Sequence, residues 1–217
     1  MTECSPIVAV NRMRHFRDRA AGLPLPSLDV KIMGANSDGI GEIAVKGPSV
    51  MLGYYEQPEA TAKVFNDEGY FLTGDLGYFD KRGFLYITGR KRNVIVTKNG
   101  KTVFPEELEE LLNRSYYIKE CMVHAKPKDK DADAMYNSDD DVIISVSIVP
   151  DMDYIMSRTG VFHALSNESV KLLLESEVQL VNHMVSKWKQ IRYIHVRQKE
   201  FTKNTTRKIQ RYLTNHE

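Results

Sequence analysis

Alternating apolar and polar residues in the first part of the chain predict antiparallel strands. Residues 29–32 and 42–46 alternate in this way on either side of a glycine-containing turn. Pro58 is placed to begin a short helix, because proline suits the first helical turn. Strand-like runs at 70–73 and 84–88 follow, separated by glycines. We therefore expect a β-rich region with one helical insert.

The pattern changes after the basic residues 90–92. Residues 94–97 and 102–104 predict the two strands of a hairpin, since the pair Asn99–Gly100 between them suits a type I′ turn. Pro105 is placed to open a helix. The apolar face of this helix is formed by Leu108, Leu111 and Leu112.

The rest of the chain mixes strands and helices irregularly. Strands are predicted at 121–125 and 142–149, and the charged segment 126–141 between them is typical of an exposed loop. A helix over 168–189 and a strand over 193–196 follow. The apolar positions assigned to that helix are Leu172, Val178, Val181, Val185 and Trp188. The fold class is therefore predicted to be α+β.

The composition mainly excludes certain classes of function and site. Lys and Arg total 30 against 29 for Asp and Glu, so the net charge of +1 provides no broad field for nucleic acid. The two cysteines, Cys4 and Cys121, lack the spacing of a disulfide framework or a zinc site, which fits a cytoplasmic protein. No apolar run approaches the roughly 20 residues of a transmembrane helix, so we expect no integral membrane segment.

Three motifs occur in a fixed order along the chain. They are Tyr70-Phe-Leu-Thr-Gly-Asp75, the run 89–100 continued by Val103-Phe-Pro-Glu-Glu-Leu-Glu109, and Thr205-Thr-Arg-Lys-Ile-Gln-Arg211. Together they resemble the adenylate-forming (AMP-dependent) superfamily of acyl-CoA synthetases, luciferases and peptide-synthetase adenylation domains. Met1-Thr2-Glu3 is also similar to the end of a conserved loop in that family.

The resemblance implies a division into two domains. Residues 1–91 would be the last, β-rich part of a large domain, a small β-barrel-like subdomain. Residues 92–217 would be the mobile α+β carboxyl-terminal domain that carries a catalytic lysine. Arg92 falls at the family's hinge, where Asp or Lys is common.

Two residues are candidates for nucleotide binding. A carboxylate after a glycine at a strand end can accept two hydroxyl hydrogen bonds, and the resemblance implies that Asp75 holds the ribose of ATP or AMP. The alternative for Asp75 is a turn-stabilising residue. Arg90 offers a fork of donors for the same nucleotide, and its alternative is a solvated surface position.

Two further residues are assigned to the carboxyl-terminal domain by the resemblance. Lys208 would be the catalytic lysine that reaches the substrate carboxylate and the α-phosphate, unless it belongs to a plain basic tail with Lys203, Arg207 and Arg211. Gly100 would lie in a hairpin that lines the pantetheine tunnel for coenzyme A, unless it is an ordinary Asn-Gly turn. No chemistry is assigned to Glu106, Glu107 or Glu109.

Thr2 and Glu3 would, by the resemblance, supply a hydroxyl to the α-phosphate and a carboxylate to Mg²⁺. We expect them to be disordered or misplaced, because a free terminus usually frays. The family's glycine-rich phosphate loop does not occur, so we interpret the chain as a fragment that follows a missing amino-terminal part. The fragment alone is expected to be inactive.

The parent is predicted to be an ATP-dependent, AMP-forming acyl-CoA synthetase, with a fatty acid as the favoured carboxylic acid. It would use ATP, Mg²⁺ and coenzyme A. One alternative is an adenylation domain that passes its acyl group to a carrier protein. Another is a non-catalytic interaction module that retains the fold.

Overall fold

The computed structural model describes residues 1–97, 100–127, 142–159, 166–205 and 207–211. They form two compact units, the first within Met1–Arg92 and the second within Asn93–Glu217. Most of the charged segment 126–141 therefore lies outside the described residues. No helix among those described has the length and apolarity needed to cross a bilayer.

The first unit is built around an open, antiparallel four-stranded sheet in the order β3-β4-β5-β6, and β1 and β2 form a separate antiparallel pair. The elements are β1 (Ala9–Val10), β2 (Leu23–Pro24), β3 (Asp29–Met33), β4 (Gly41–Lys46), α1 (Pro58–Val64), β5 (Phe71–Phe79) and β6 (Leu85–Arg90). Short 3-10 turns occur at Thr2–Cys4 and Lys91–Asn93.

The core of the first unit collects apolar side chains from one face of this sheet and from the start of the chain. Its buried members are Cys4, Leu28, Ile43, Val45, Phe71 and Leu85. The predicted strands at 29–32 and 42–46 and the helix from Pro58 are confirmed. The runs predicted at 70–73 and 84–88 correspond to β5 and β6. Strand β5 is longer than predicted, because it continues through Gly74 and Asp75 to Phe79.

The second unit contains a three-stranded sheet in the order β11-β10-β9, in which β9 and β10 are antiparallel and β10 and β11 parallel. A small hairpin, β7 with β8, precedes it. The elements are β7 (Ile95–Val96), β8 (Thr102–Val103), α2 (Pro105–Leu112), β9 (Ile118–Pro127), β10 (Val142–Pro150), α3 (Met152–Thr159), α4 (Asn167–Met184) and β11 (Tyr193–Val196).

The main core of the second unit lies between one face of the three-stranded sheet and its helices. Helix α2 buries Leu108 and Leu112 as predicted. Helix α4 buries the predicted Val178 and Val181, and it also buries Val170 and Leu174, which were not assigned to its apolar face. The α+β class is confirmed, and α3 is an element that the apolar pattern did not predict.

The long helix ends earlier than predicted. Val185 leaves the helical conformation with φ −119° and ψ 160°, and Ser186 then begins a separate 3-10 turn at Lys187–Lys189. Leu172, assigned to the apolar face, is 62% exposed. Val185 and Trp188 continue the helical spacing of apolar residues, which is why the sequence predicts a longer helix. The extended conformation of Val185 ends the helix before them.

Helix α4 provides a direct test of which leucine supports the core. Leu174→Ala should lower the free energy of unfolding by about 2–5 kcal/mol, because a fully buried leucine leaves a cavity. Leu172→Ala on the same helix should change it by less than about 0.5 kcal/mol, because that side chain is exposed. Urea unfolding followed by fluorescence of Trp188, the single tryptophan, measures both. Equal losses would contradict this placement.

His124 on β9 should make the second unit sensitive to acid. Burial lowers the pKa of His124; a hydrogen bond with the Ala125 backbone partly opposes this, while the charges of Arg211 and Lys126 add to it. Its Nε2 lies 3.2 Å from Ser147 Oγ on β10. Because the unfolded chain takes up the proton more readily, stability should fall as the pH drops below about 6.5, by at most about 1.4 kcal/mol per pH unit.

The measurement is the free energy of unfolding between pH 5 and 8, again followed at Trp188. His124→Gln should flatten this dependence, while His183→Gln on the exposed side of α4 should leave it unchanged. An unaltered slope in His124→Gln would show that another group controls the acid response.

Candidate functional site

Asp75 lies in a β-bulge in the middle of β5. Ala44 pairs with Leu72 and Glu42 pairs with Leu76, so three residues of β5, 73–75, face the single residue Ile43 of β4. Gly74 has φ +69°, a left-handed conformation that side chains other than glycine rarely adopt. Such a bulge redirects side chains out of the regular strand alternation. The prediction that Asp75 follows the end of a strand is therefore wrong.

Side chains hold the backbone of this bulge. Thr73 Oγ1 donates to Ile43 O at 2.8 Å and accepts from Asp75 N at 3.0 Å. Glu42 accepts from Gly74 N at 3.2 Å through one carboxylate oxygen. Its other oxygen lies 2.7 Å from Lys91 Nζ. The extra backbone groups of the bulge thus have partners, which fixes where the Asp75 carboxylate lies.

Asp75 and Arg90 are brought together by the sheet register. They are directly opposite on β5 and β6, and Arg90 Nε lies 2.8 Å from Asp75 Oδ1. The Asp75 side chain is 20% exposed and Arg90 is more open. An ionised carboxylate can accept about four hydrogen bonds, so pairing with Arg90 does not by itself fill the acceptor positions of Asp75.

A cleft of about 280 Å³ lies against this bulge in the first unit. Thr73 and Asp75 contribute polar groups, and Met1 also lines it. The other lining residues are Pro6, Ile7, Val8, Ala9, Ala21, Ile43, Val45, Leu85 and Ile87, all apolar. A mostly apolar cleft with a few convergent polar groups is the usual form of a small-molecule site.

Thr2 and Glu3 belong to an ordered turn next to this cleft, so the expectation of a frayed terminus is wrong. Cys4 is fully buried and anchors the segment. Met51 N donates to Glu3 O at 2.8 Å, and the Tyr54 hydroxyl donates to the Glu3 carboxylate at 3.4 Å. Burial of Cys4 overcomes the tendency of a terminus to fray.

No cluster of three or more metal-ligating side chains occurs among the described residues. A single carboxylate such as Glu3 is nevertheless compatible with Mg²⁺, which is usually held by one or two carboxylates together with substrate phosphates and water. The donor set therefore fits a magnesium ion that arrives with a phosphate substrate.

Lys208 lies in a tight turn of the second unit. Asn204 Oδ1 accepts from Lys208 N at 2.8 Å, and Asn204 N donates to Lys208 O at 2.9 Å. The Lys208 side chain is exposed. The preceding Arg207 has φ +60°, where glycine would fit more easily. Thr206 of the same motif lies outside the described residues.

Gly100 lies in the β7–β8 hairpin and has φ +71°. Its amide donates to Thr97 O at 2.9 Å, and a Cβ added at this position would meet nothing within 4 Å. Glycine is thus favoured here by the backbone conformation rather than by crowding within the chain. The predicted turn type involves Asn99, which lies outside the described residues.

Arg92 is exposed and occupies the last position of the first unit. It lies in the 3-10 turn Lys91–Asn93. On the far side of that boundary, Asn93 Nδ2 donates to Glu106 Oε1 at 2.6 Å.

Glu109 is a partly buried residue that sequence reasoning left without a role. One of its oxygens accepts from Val123 N at 2.6 Å, and its carboxylate lies 2.5–2.6 Å from Arg211 Nη2. Burial raises the pKa of Glu109, and the charge of Arg211 opposes this effect. A signal was present, because Glu109 falls on the same stripe of α2 as Pro105, Leu108 and Leu112.

Parts of the chain are similar in sequence to known proteins. The profile of the family described as "AMP-binding enzyme" matches residues 1–55. A long-chain-fatty-acid–CoA ligase of Yersinia pestis is 37% identical over 142 residues, covering 62% of this chain and 25% of the relative. A 2-succinylbenzoate–CoA ligase of Lactococcus lactis is 37% identical over 133 residues, covering 60% of the chain and 28% of the relative.

The fold is also similar to that of a solved enzyme. The o-succinylbenzoate coenzyme A synthetase of Bacillus subtilis, in complex with ATP and magnesium ion, has a TM-score of 0.73 and 25% identity, over 98% of this chain and 39% of that one. The match spans about a quarter of the length of the curated relatives. Over these matched parts, the chain is similar to AMP-binding enzymes and to acyl-CoA ligases.

Proposed function

We propose that this chain works as the carboxyl-terminal part of an ATP-dependent, AMP-forming acyl-CoA ligase. Such an enzyme joins a carboxylic acid to AMP and then transfers the acyl group to the thiol of coenzyme A. The observation that carries the proposal is the Asp75–Arg90 pair, held at a bulge beside a cleft. In this proposal residues 1–91 close the large domain, and 92–217 form the mobile domain.

Nucleotide binding is assigned to the bulge. The Asp75 carboxylate accepts hydrogen bonds from the two ribose hydroxyls, and Arg90 restrains that carboxylate while offering its remaining donors to the nucleotide. The apolar walls of the cleft exclude water, which strengthens these polar contacts. Support comes from the 25% identical solved synthetase that contains ATP and magnesium ion.

Contacts with the phosphates and their negative charge are assigned to Thr2, Glu3 and Lys208. Thr2 supplies a hydroxyl to the α-phosphate, and Glu3 would hold Mg²⁺ through its carboxylate. When bound, Mg²⁺ neutralises negative charge on the phosphates. The exposed ammonium of Lys208 stabilises the charge that develops as the substrate carboxylate attacks the α-phosphate.

The second half-reaction is assigned to a rotation of the mobile domain about Arg92. The backbone at this exposed turn can change without disturbing either core, since Arg92 ends one compact unit. The hairpin at Gly100 then replaces the Lys208 turn and lines the path of the pantetheine arm. Gly100 has no side chain, and this absence leaves room for that arm at its position.

A fatty acid is the substrate that we favour. The supporting observation is that several relatives with 33–38% identity are named long-chain-fatty-acid–CoA ligases. The 2-succinylbenzoate–CoA ligase relative gives an aromatic acid as the competing substrate. Comparing the two acids as substrates of the complete enzyme tests this part of the proposal.

Substituting Asp75 tests the nucleotide site. In the complete enzyme, Asp75→Asn should weaken ATP binding by about 10- to 100-fold, because hydrogen bonds to a charged group contribute about 1.5–3 kcal/mol. Asp67→Asn, an exposed residue of the same unit, should leave the affinity unchanged. Titration calorimetry measures both. Equal affinities would remove Asp75 from the site.

Substituting Lys208 tests the division of labour between the half-reactions. Lys208→Ala should slow acyl-adenylate formation by about 10²–10³-fold while thioester formation from supplied acyl-adenylate stays nearly intact. Gly100→Leu should show the reverse pattern. Lys199→Ala, an exposed lysine of the same unit, is the matched control. Lys203 cannot serve as a control, since it pairs with Glu120.

Single-turnover rates for each step decide the outcome. If Lys208→Ala slows both steps alike, or no more than Lys199→Ala does, Lys208 belongs to a basic tail. If Gly100→Leu leaves thioester formation intact in a folded enzyme, the hairpin does not line the path.

A further inference from the structure

The segment that carries Lys208 is held in the second unit by contacts on both sides of the Lys208 turn. Phe201 is 3% exposed and packs with Met122 and Val149 on the sheet face opposite the main core, joined by Ile209. Lys203 and Ile209 form an isolated antiparallel bridge that closes the turn between them. The two ends of the turn are therefore fixed to the sheet, while its tip is exposed.

The first fixed end depends on Glu120. This carboxylate lies on β9 beneath the segment, accepts from Phe201 N at 3.1 Å, and pairs with Lys203 Nζ. Lys203 also lies 3.3 Å from Glu200. Glu120 therefore holds the chain just before the turn.

The second fixed end depends on the Glu109–Arg211 pair. Strand β9 is at the edge of its sheet. At Val123 the pair satisfies both groups of that edge: Glu109 accepts from Val123 N at 2.6 Å, and Arg211 donates to Val123 O at 2.8 Å. The two side chains replace a missing neighbouring strand. Both are largely withdrawn from solvent, with 14% and 26% of their side chains exposed.

We propose that Glu109 and Arg211 are positioning residues for the adenylation step. Arg211 lies three residues after Lys208, so its contacts with Glu109 through Nη2 and with Val123 O through Nη1 fix the turn against β9 and set the position of the lysine ammonium. This inference rests on the proposed function, in which Lys208 acts on the α-phosphate. In this role neither Glu109 nor Arg211 contacts the substrate; both act through the position of Lys208.

Accuracy of placement is what makes such a pair matter. A misplacement of about 1 Å in a catalytic group can cost roughly 100-fold in rate. A planar guanidinium held at Nη2 by the Glu109 carboxylate and at Nη1 by Val123 O limits both rotation and translation of its backbone. Lys208 itself lies on an exposed turn whose left-handed Arg207 is under strain, so the restraint must come from outside the turn.

The test uses the complete enzyme and single-turnover rates of both half-reactions. Glu109→Gln and Arg211→Gln should each slow acyl-adenylate formation by about 10- to 100-fold and leave thioester formation from supplied acyl-adenylate unchanged. The double variant should be no slower than either single one, since both remove the same link. Glu110→Gln, the exposed neighbour that pairs with Arg114, is the matched control and should behave as wild type.

Arg211→Lys covers the case in which the glutamine variants fail to fold. Lysine keeps the charge but lacks two rigidly spaced nitrogens for Glu109 and Val123 O, so adenylation should still fall more than thioester formation. Thermal melting of every variant confirms that it is folded at the assay temperature.

Three results would overturn the inference: equal slowing of both half-reactions, additive losses in the double variant, or adenylation at the wild-type rate. Lys208→Ala, assayed in parallel, separates this failure from failure of the proposed function. If Lys208→Ala leaves adenylation intact, the proposed function fails. If it abolishes adenylation while Glu109→Gln and Arg211→Lys do not, only the positioning role fails.

Discussion

A carboxylate that is withdrawn from water must find a cation or hydrogen-bond donors, because leaving it unpaired costs several kcal/mol. This constraint organises both units of the chain. Glu42 is held by the Gly74 amide and Lys91 in the first unit. Glu109 and Glu120 meet the same requirement in the second unit by drawing in the chain on both sides of the Lys208 turn. Each partner comes from a distant part of the sequence, so satisfying the charge also fixes the local backbone.

The side chains proposed for chemistry are arranged differently from these supports. Asp75 and Lys208 keep accessible polar atoms, while the carboxylates that hold their backbones are more deeply buried. The buried carboxylates thus hold the backbone rigid, while Asp75 and Lys208 remain accessible. Such an arrangement preorganises a polar group before charge develops on a substrate.

Local sequence patterns predict much of the fold, but they do not predict the buried carboxylate contacts that hold the site residues. The strands at 29–33 and 41–46 and the helix from Pro105 follow from alternation, helical spacing and proline placement, which act within a few residues. The bulge at Gly74 could not be predicted, because a glycine inside a strand pattern indicates either a break or a bulge. The partner of Glu109 lies 102 residues away, and no local pattern specifies it.

The strand order of the second unit also constrains its folding. Strand β11 pairs in parallel with β10, so the intervening α3 and α4 must be traversed before the sheet is complete. In the first unit, by contrast, neighbouring strands of the four-stranded sheet follow one another along the chain, and such local contacts form quickly. During synthesis, the first unit can form its sheet early, whereas the second waits for a late strand. The Lys208 turn follows that strand, so its contacts with β9 can form only after the chain beyond β11 has been synthesised.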